Sequence, residues 1–483
     1  MDWDWQSYQA EGAQAPYDEL VGPDGLPRQG SEPLIRYLSR LSQRQIRSRQ
    51  KAAERAIMEM GITFTVYSDG QNIDRAWPLD IVPRVIDGGE WDLLQTGLKQ
   101  RLRALNLFID DVYHEQRVVA DKVVPQHLIS SSRDFLSACV DANPAHGVWA
   151  HVCGTDLIRD ADGTVYVLED NLRVPSGVSY MLENRSVTKR VFPELFSNLN
   201  IRSVDAYPSQ LFDTLASLSP RGGDDPEIVV LTPGIYNSAY FEHSFLAQRM
   251  GAELVTGDDL VVQDDGCVYM KAVEGLIRVD TIYRRLNDTS MDPTVFDETS
   301  MLGTPGLFKA WYDGNVAIAN APGCGVADDK VVYSYVPDLI RYYLSEEPLL
   351  ANVPTYRCSD QDSLKFVLDH LPDLVVKPAN ESGGYGMLVG PAATRNEVEK
   401  FRGLIQDDPR NYIAQPTITL STVPTVCGDL FEPRHVDLRP FVLQGERSAV
   451  TAGGLTRVAM RKGSLVVNSS QGGGSKDTWV VDT

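Results

Sequence analysis

The chain has 483 residues, a length that suggests two or three packed domains. Its 66 Asp and Glu residues outnumber its 45 Lys and Arg residues, and the net charge of −21 argues against a nucleic-acid partner or an anionic membrane surface. Six scattered cysteines without a C-x-x-C pair predict reduced thiols in a cytoplasmic protein, not a disulfide framework or a zinc site.

The N-terminus shows no targeting signal. Its first residues are acidic and polar, where a secretory signal would be basic and then apolar, and no apolar run is long enough to span a bilayer. Residues 1–30 are rich in Gly, Pro, Gln and Asp. We expect a flexible N-terminal arm there, either a floppy tail or a segment that is ordered by contact.

A long periodic stretch follows the arm. Apolar residues between about Glu32 and Met60 recur at helical spacing, which predicts one packing helix. A strand-like segment and a second helix come next, and they carry Arg84, Arg101 and Arg103. These arginines are candidates for holding an anionic substrate, although arginines on a solvated face are the commoner alternative.

Two short segments around a turn bring three oxygen ligands together. Asp156 lies in the first segment, an Asp-Gly turn follows at 162–163, and the second segment ends at Glu169-Asp170-Asn171. A hairpin over that turn places Asp156 and Glu169 side by side. Mg²⁺ prefers carboxylate and amide oxygens, so Asp156, Glu169 and Asn171 are of the residue types that a magnesium site needs. Each residue also has an alternative role when it is considered alone: Asp156 as a turn cap, and Glu169-Asp170-Asn171 as a solvated strand end.

The chain between 206 and 325 is predicted to be a separate unit. Residues 227–255 read as a buried strand, a helix and a second strand, which form a β-α-β unit. Its polar candidates for binding substrate are His243 and Arg285. A lone histidine at a helix start is more often a capping or packing residue.

The most informative motif is a lysine in front of a glycine-rich turn. The apolar segment 374–376 ends in Lys377, and residues 381–386 read Glu-Ser-Gly-Gly-Tyr-Gly. Only glycine lets consecutive N–H groups close on phosphate oxygens, and the lysine neutralises their charge. A tight hairpin is the alternative, and no Walker loop or dinucleotide fingerprint occurs. The nucleotide-binding candidates are Lys377, Glu381, Ser382, Gly383, Gly384 and Gly386.

The order of the other motifs resembles the ATP-grasp carboxylate-amine ligases. Lys377 with its loop, the later Gln415 segment and the D-x-R element that ends at Arg439 resemble the nucleotide lobe of that family. The resemblance implies that Gln415 faces adenine and that Lys330 is a second lysine for the phosphates. The other nucleotide-binding candidates that it implies are Arg457 and Asn468.

The resemblance implies that Asp156, Glu169 and Asn171 hold the magnesium ion. The segments that carry them stand upstream of this lobe, whereas in an ordinary ATP-grasp chain they follow it. The chain therefore resembles a circularly permuted ATP-grasp protein, similar to the glutathionylspermidine synthetase-like ligases, over most of residues 70–483. This resemblance implies an α/β (α+β) fold with an inserted Rossmann-like (pre-ATP-grasp) domain. We expect the flexible arm at 1–30, N-terminal helices plus the metal-binding lobe at 31–205, the inserted domain at 206–325, and nucleotide-binding lobes at 326–483 that complete one sheet with 147–175.

The resemblance also implies a reaction, in which ATP and Mg²⁺ activate a carboxylate as an acyl phosphate and an amine attacks it to form an amide. Arg173 and Arg439 would gather the γ-phosphate and the intermediate, and Ser176 and Gly177 would contact the substrates. One position departs from the family. The glutathionylspermidine ligases carry an arginine two residues before the metal aspartate, where this chain has Gly154. The catalytic arginine and the substrates therefore stay open.

Two other functions remain open at this stage. An ATP-dependent phosphotransferase on the same fold would share every nucleotide residue, and a nucleotide-binding partner protein would bind without turnover. No Ser/His/Asp or Cys/His triad is evident. The sequence does not determine whether the acid is a small molecule or a peptide, which amine accepts it, or the oligomeric state.

Overall fold

The fold is taken from a computed structural model, which describes residues 8, 16–68, 71–222, 225–379, 386–428, 430–465, 467 and 472–483. Among these residues no helix is both long and apolar enough to cross a membrane.

The first part of the chain is mainly helical and contains two antiparallel strand pairs, β1–β2 and β4–β5. The elements are α1 (Glu32–Leu38), α2 (Gln43–Glu59), β1 (Thr63–Ser68), β2 (Gln71–Ala76), β3 (Leu79–Asp87), α3 (Gly88–Tyr113), α4 (Arg117–Ala120), α5 (Gln126–Ser130), β4 (Val152–Arg159), β5 (Val165–Asn171), α6 (Val178–Val191), α7 (Pro193–Asn198) and α8 (Tyr207–Ala216).

The single helix predicted from about Glu32 to Met60 is wrong, because two helices occupy this stretch. The chain leaves α1 after Leu38, and Ser42 begins α2 with a capping box: its hydroxyl accepts from the Gln45 N–H, and the Gln45 side chain accepts from the Ser42 N–H. Such a reciprocal cap satisfies two backbone donors at a helix start. The apolar periodicity continues across the break, which is why it suggested one helix.

The middle of the chain contains a small parallel sheet. Its elements are β6 (Ile228–Leu231), α9 (Tyr240–Met250), β7 (Glu253–Val255), β8 (Leu260–Val262), β9 (Val268–Ala272), β10 (Gly275–Arg278), β11 (Thr281–Arg284), α10 (Asp288–Met291), α11 (Leu307–Tyr312) and β12 (Ala317–Ala319). The strand order is β12-β11-β6-β7, with every pair parallel. The predicted β-α-β unit is present as β6, α9 and β7, while the boundaries 206–325 stay a prediction.

A second, antiparallel sheet follows in what we call the small lobe, residues 356–416. The elements from this lobe and the chain before it are α12 (Lys330–Tyr333), α13 (Val336–Leu344), β13 (Ala351–Asn352), β14 (Tyr356–Arg357), α14 (Gln361–His370), β15 (Leu374–Pro378), β16 (Leu388–Val389), α15 (Arg395–Asp407) and β17 (Tyr412–Pro416). The sheet order is β14-β17-β15-β16. It covers its own small apolar core, centred on Val367, Leu371, Val376 and Ile405.

The largest sheet joins segments from distant parts of the chain. Its last strands are β18 (Thr422–Cys427), β19 (Leu430–Gln444), β20 (Ser448–Val458) and β21 (Gly474–Val481). The order is β13-β5-β4-β19-β20-β21-β3, with β18 paired to β19. Within the hairpin, β4 thus lies beside β19, which follows it by more than 250 residues in the sequence, as a permuted sheet requires. Leu465 and Val467 lie outside these strands and pack near Ile158.

Where the structure describes the N-terminal segment, residues 16–30 are ordered by contact. Leu20 is fully buried, and Glu19 lies under the large sheet with ion pairs to Arg84 and Arg159. The Ser421 hydroxyl donates to Glu19 as well. Of the two expectations for this arm, the contact-ordered segment fits residues 16–30.

Candidate functional site

A cavity of about 380 Å³ lies between the large sheet and the small lobe. One part of its wall is apolar, built from Ile158, Leu168, Val353, Val375, Met387, Val389, Ile418, Leu420, Leu465 and Val467. The other part is charged or polar, built from Asp156, Glu169, Asn171, Ser176, Lys330, Lys377, Gln415, Asp437, Arg439 and Arg457. Most of the sequence-predicted site residues that the structure describes therefore meet in one place.

The hairpin β4–β5 presents the predicted oxygen ligands. Asp156 and Glu169 are directly opposite each other in the antiparallel register, and Asn171 is opposite Gly154. Residues facing each other across such a pair lie on the same side of the sheet, which brings the two carboxylates together. The predicted hairpin is confirmed, while metal binding by these residues stays a prediction. The Asn171 side-chain amide donates to the Gly154 carbonyl.

Two arginines clamp the Asp156 carboxylate. Arg439 donates from Nε and Nη2 to the two oxygens of Asp156 at 2.5 and 2.8 Å, and Arg457 Nη2 donates to Oδ2 at 2.7 Å. Burial alone would raise the pKa of Asp156, but the charges of Arg439 and Arg457 outweigh it and lower the pKa well below its usual range. Asp156 therefore stays ionised at all ordinary pH values.

Asp437 completes this network from the neighbouring position on β19. Arg457 Nε donates to both of its oxygens, at 2.9 and 3.0 Å, and Asp437 is 1% exposed. Burial raises the pKa of Asp437, with Arg457 opposing that rise. Asp437 is the first residue of the D-x-R motif, but it is not among the predicted site residues. Its two-residue offset from Arg439 on one strand was the signal, because such residues share a face.

Lys377 enters the cavity from the small lobe. Its ammonium is buried and donates to Gln415 Oε1 at 2.9 Å. Burial lowers the pKa of Lys377 to about 8, opposed by the nearby Glu169 charge and assisted by Lys330. The positive charge of Lys377 is only partly compensated by the protein, so the ammonium can still attract an anion.

Lys330 approaches the same carboxylate from the other side. It begins α12, and its Nζ lies 3.5 Å from Glu169 Oε2. Asp329, directly before it, caps that helix by accepting from the Val331 N–H and is in turn held by Arg410 of the small lobe at 2.6 Å. The Arg410–Asp329 pair thus ties the small lobe to the helix that carries Lys330.

Gln415 is engaged by the protein itself. Besides accepting from Lys377, its amide donates to Thr355 Oγ1 at 3.0 Å. Its predicted contact with adenine stays a prediction. The described part of the glycine turn is Gly386, which has a positive φ of 68°. Glu381, Ser382, Gly383, Gly384 and Asn468 lie outside the described residues.

Arg173 does not line the cavity, although it was predicted to face the γ-phosphate. Its guanidinium donates to Asp328 at 2.8 Å and to Asp134 at 2.9 Å. Burial raises the pKa of Asp134 to about 6, with the Arg173 charge opposing. The backbone at Gly325 lies so close that an added Cβ would come within 2.5 Å of Arg173 Cδ. Both acidic partners are remote in sequence, so the motif could not show this placement.

Three of the five predicted substrate residues, Ser176, Gly177 and Arg285, meet in one polar cluster beside the cavity. Arg285 donates to Ser176 Oγ at 2.7 Å and to Glu242 at 3.2 Å. Glu242, which the sequence analysis passed over, also accepts from the Gly177 and Ser179 N–H groups at the start of α6. Ser176 lines the cavity, and its carbonyl accepts from Arg439.

His243 and Arg84 are held away from the cavity. His243 is 1% exposed and bonded to Thr232 Oγ1 at 2.8 Å, and burial lowers its pKa so that it is neutral. Arg84 is the fifth predicted substrate residue, and a contact with substrate stays a prediction for it. It is buried against Glu19 and is not among the residues that line the cavity.

Comparison with known proteins identifies the family of this chain. The family model for circularly permuted ATP-grasp type 2 matches residues 83–459. The chain belongs to the circularly permuted ATP-grasp family. Within it, the chain is 56% identical over 466 residues to "Uncharacterized protein sll0335" of Synechocystis sp. (strain ATCC 27184 / PCC 6803 / Kazusa), covering 96% of this chain and 97% of that one.

Two further matches have informative names. A Frankia casuarinae protein named "Putative glutamate--cysteine ligase 2-2" is 42% identical, and the match covers 96% of this chain but 53% of that one. A solved structure, a glutathione synthetase like-effector (GSS30) from Globodera pallida in apoform, has a TM-score of 0.60 with 11% identity and covers 91% of this chain and 98% of that one. At that identity the likeness shows the fold of this circularly permuted ATP-grasp protein and no more.

Proposed function

We propose that the protein is an ATP- and Mg²⁺-dependent carboxylate-amine ligase that works through an acyl phosphate. The observation that carries this proposal is the cavity in which Lys330, Lys377, Arg439 and Arg457 converge beside an apolar wall. An adenine ring fits an apolar wall, and a triphosphate fits a cluster of cations. In the family to which the chain belongs, this cavity is the natural place for ATP.

The charges of the site suit a triphosphate. Lys377 and Lys330 approach from the small lobe and from α12, so they are placed to hold the α- and β-phosphates from two sides. Arg439 lies next to Ser176 and Asp156, where it is placed to meet the γ-phosphate. Cations fixed before the reaction stabilise the charge that spreads over the transferred phosphoryl oxygens.

The donor set fits a magnesium ion. Glu169 and Asn171 supply a carboxylate and an amide oxygen to the cavity wall, the hard ligands that Mg²⁺ takes alongside phosphate oxygens. Asp156 would add a third, although both of its oxygens are held by arginines in this structure. Among the described residues no three His, Cys, Asp or Glu side chains form a metal cluster. When bound, the ion would neutralise charge on the phosphates.

The proposed reaction has two steps. A carboxylate oxygen of the first substrate attacks the γ-phosphorus, the bond to the bridging oxygen of ADP breaks, and an acyl phosphate forms. The amine nitrogen of the second substrate then attacks the acyl carbon, phosphate leaves with the carbon–oxygen bond electrons, and the amine loses a proton. Arg439 orients the transferred phosphoryl group, while the apolar wall and the small lobe exclude water, which would hydrolyse the acyl phosphate.

The acid and amine are proposed as amino acids or short peptides. The name of the Frankia relative points to glutamate and cysteine as the first pair to test, although that protein is about twice the length that the match covers. The cluster of Arg285, Ser176 and Gly177 borders the cavity where Ser176 lines its wall. We propose that the unit at 206–325 forms this side of the substrate site as a separate domain.

The test measures ADP release with Mg²⁺, ATP and candidate carboxylates, each with and without amines. Release that requires the amine, together with an amide product by mass spectrometry, supports the ligase. Release without an amine and with a stable phosphorylated product indicates a phosphotransferase. Tight ATP binding without release indicates a binding protein.

A further inference from the structure

A second cavity lies apart from the nucleotide cavity and shares none of its lining residues. Its volume is about 250 Å³. Three segments form its wall: residues 143–151 before β4, residues 217–220 after α8, and residues 311–318, which lead from α11 into β12. Nothing in the proposed ligase reaction uses this cavity, so it needs an explanation of its own.

Two buried polar side chains in this wall lack partners. His151 is 1% exposed, and neither Nδ1 nor Nε2 has a hydrogen-bond partner among the residues that the structure describes. The Ser219 hydroxyl, in the same wall, is also buried and without a partner there. Buried polar groups are nearly always hydrogen-bonded, and leaving one unmet costs free energy. Two such groups around a single cavity indicate that something inside it satisfies them.

The wall defines the chemistry of the occupant. Burial lowers the pKa of His151 to about 3, so its ring is neutral and offers one donor and one acceptor. The described residues of this wall include no Lys, Arg, Asp or Glu, so a charged ligand would be desolvated without compensation. Leu218, Trp311 and Ile318 add apolar side chains to the same wall.

Water alone does not match this surface. Water satisfies His151 and Ser219, but water against Leu218, Trp311 and Ile318 gains nothing from these side chains, so an apolar group that displaces it is favoured. An organic molecule with a polar edge and an apolar body matches both the polar and the apolar side chains of this wall.

We propose that this cavity is a second binding site, for a small uncharged molecule that presents a hydrogen-bond donor and an acceptor to His151 and Ser219. The apolar body of the ligand lies against Trp311 and its neighbours. This proposal does not depend on the ligase function, because no residue of the nucleotide cavity takes part.

The test uses the full chain and 2-pyrrolidinone, an uncharged lactam with one N–H donor, one carbonyl acceptor and an apolar ring. A ligand that binds only the folded state raises Tm in a saturable manner. We expect such a rise in the wild type and none with pyroglutamate, which adds a carboxylate to the same ring. A crystal structure with the lactam should show it between His151 and Ser219.

Two variants and one control locate the effect. Ser219→Ala and His151→Phe should each weaken lactam binding at least tenfold. Ser132→Ala is the matched control, since Ser132 also has a buried hydroxyl without a partner among the described residues but does not line this cavity, and it should bind the lactam as the wild type does. The absence of a saturable Tm rise in the wild type, an equal rise in Ser219→Ala, or crystals with only ordered water in the cavity would each overturn the proposal.

Discussion

ATP binding should depend on the protonation of Lys377. Burial lowers the pKa of this lysine from its usual 10.5 to about 8, so at pH 7 the charged form carries a cost of about 3 kcal/mol relative to water. A phosphate placed beside the ammonium removes that cost and raises the pKa again. Binding of ATP near pH 8 should therefore take up about half a proton per site.

The magnitude follows from this pKa. If the ammonium is fully charged in the complex, the apparent Kd should be about tenfold weaker at pH 9 than at pH 7, because most free protein at pH 9 has neutral Lys377. The stability of the protein without nucleotide changes with pH in the opposite direction to its ATP affinity. The folded pKa lies below the unfolded one, so the unfolded chain holds more protons between pH 8 and 10.5, and stability rises with pH across that window.

The assay is isothermal titration calorimetry with excess Mg²⁺ in two buffers of different ionisation enthalpy, at pH 7, 8 and 9. Lys377→Met is the control, since it keeps the aliphatic stem and removes the charge. At pH 7 it should bind ATP more weakly by about 2–4 kcal/mol, and it should lose the proton uptake. A flat affinity between pH 7 and 9 in the wild type, or the same pH profile in Lys377→Met, would refute the assignment of Lys377 to the phosphates.

Three further predictions concern the metal site, the buried charge network and the thiols. Glu169→Ala should abolish ATP turnover and shift Tm by only a few degrees, because Glu169 is partly exposed at the cavity; normal turnover would exclude it as a ligand. Asp437→Ala should lower the free energy of unfolding by about 3–5 kcal/mol in urea titrations, since it removes a buried partner of Arg457, whereas the exposed Glu399→Ala should have little effect; equal effects would contradict the network. Of six free cysteines, only the half-buried Cys427 should react quickly with a thiol reagent in the native protein, and all six after unfolding; several fast thiols would show that the cores are open.

The local parts of this site were predictable because they depend on short-range patterns. The Asp-Gly turn and the alternation of β4 and β5 placed Asp156 opposite Glu169, and the order of the motifs predicted the permuted sheet. The break between α1 and α2 has a local signal in the Ser42 and Gln45 capping box, but the apolar periodicity continues across it and by itself predicts one helix.

The remote parts were not predictable because they depend on partners far away in the chain. Arg173 turns towards Asp134 and Asp328, about 40 and 155 residues away, and no local motif distinguishes that from a contact with phosphate. Arg84 is buried by Glu19, which lies in a segment whose composition suggested flexibility. Burial of an arginine follows from tertiary packing, which composition does not encode.

The most direct test of the ligase proposal follows oxygen atoms. The protein is incubated with Mg²⁺, ATP and a pool of N-acetyl-L-amino acids whose carboxylates carry ¹⁸O, with and without a pool of unlabelled L-amino acid amides as the amines, and phosphate and amide products are analysed by mass spectrometry. Because the carboxylate oxygen that attacks phosphorus leaves with phosphate, the proposal predicts amine-dependent ADP formation, one ¹⁸O in each phosphate released and a matching amide. Phosphate without ¹⁸O, or ADP formation that does not depend on the amine, would contradict it.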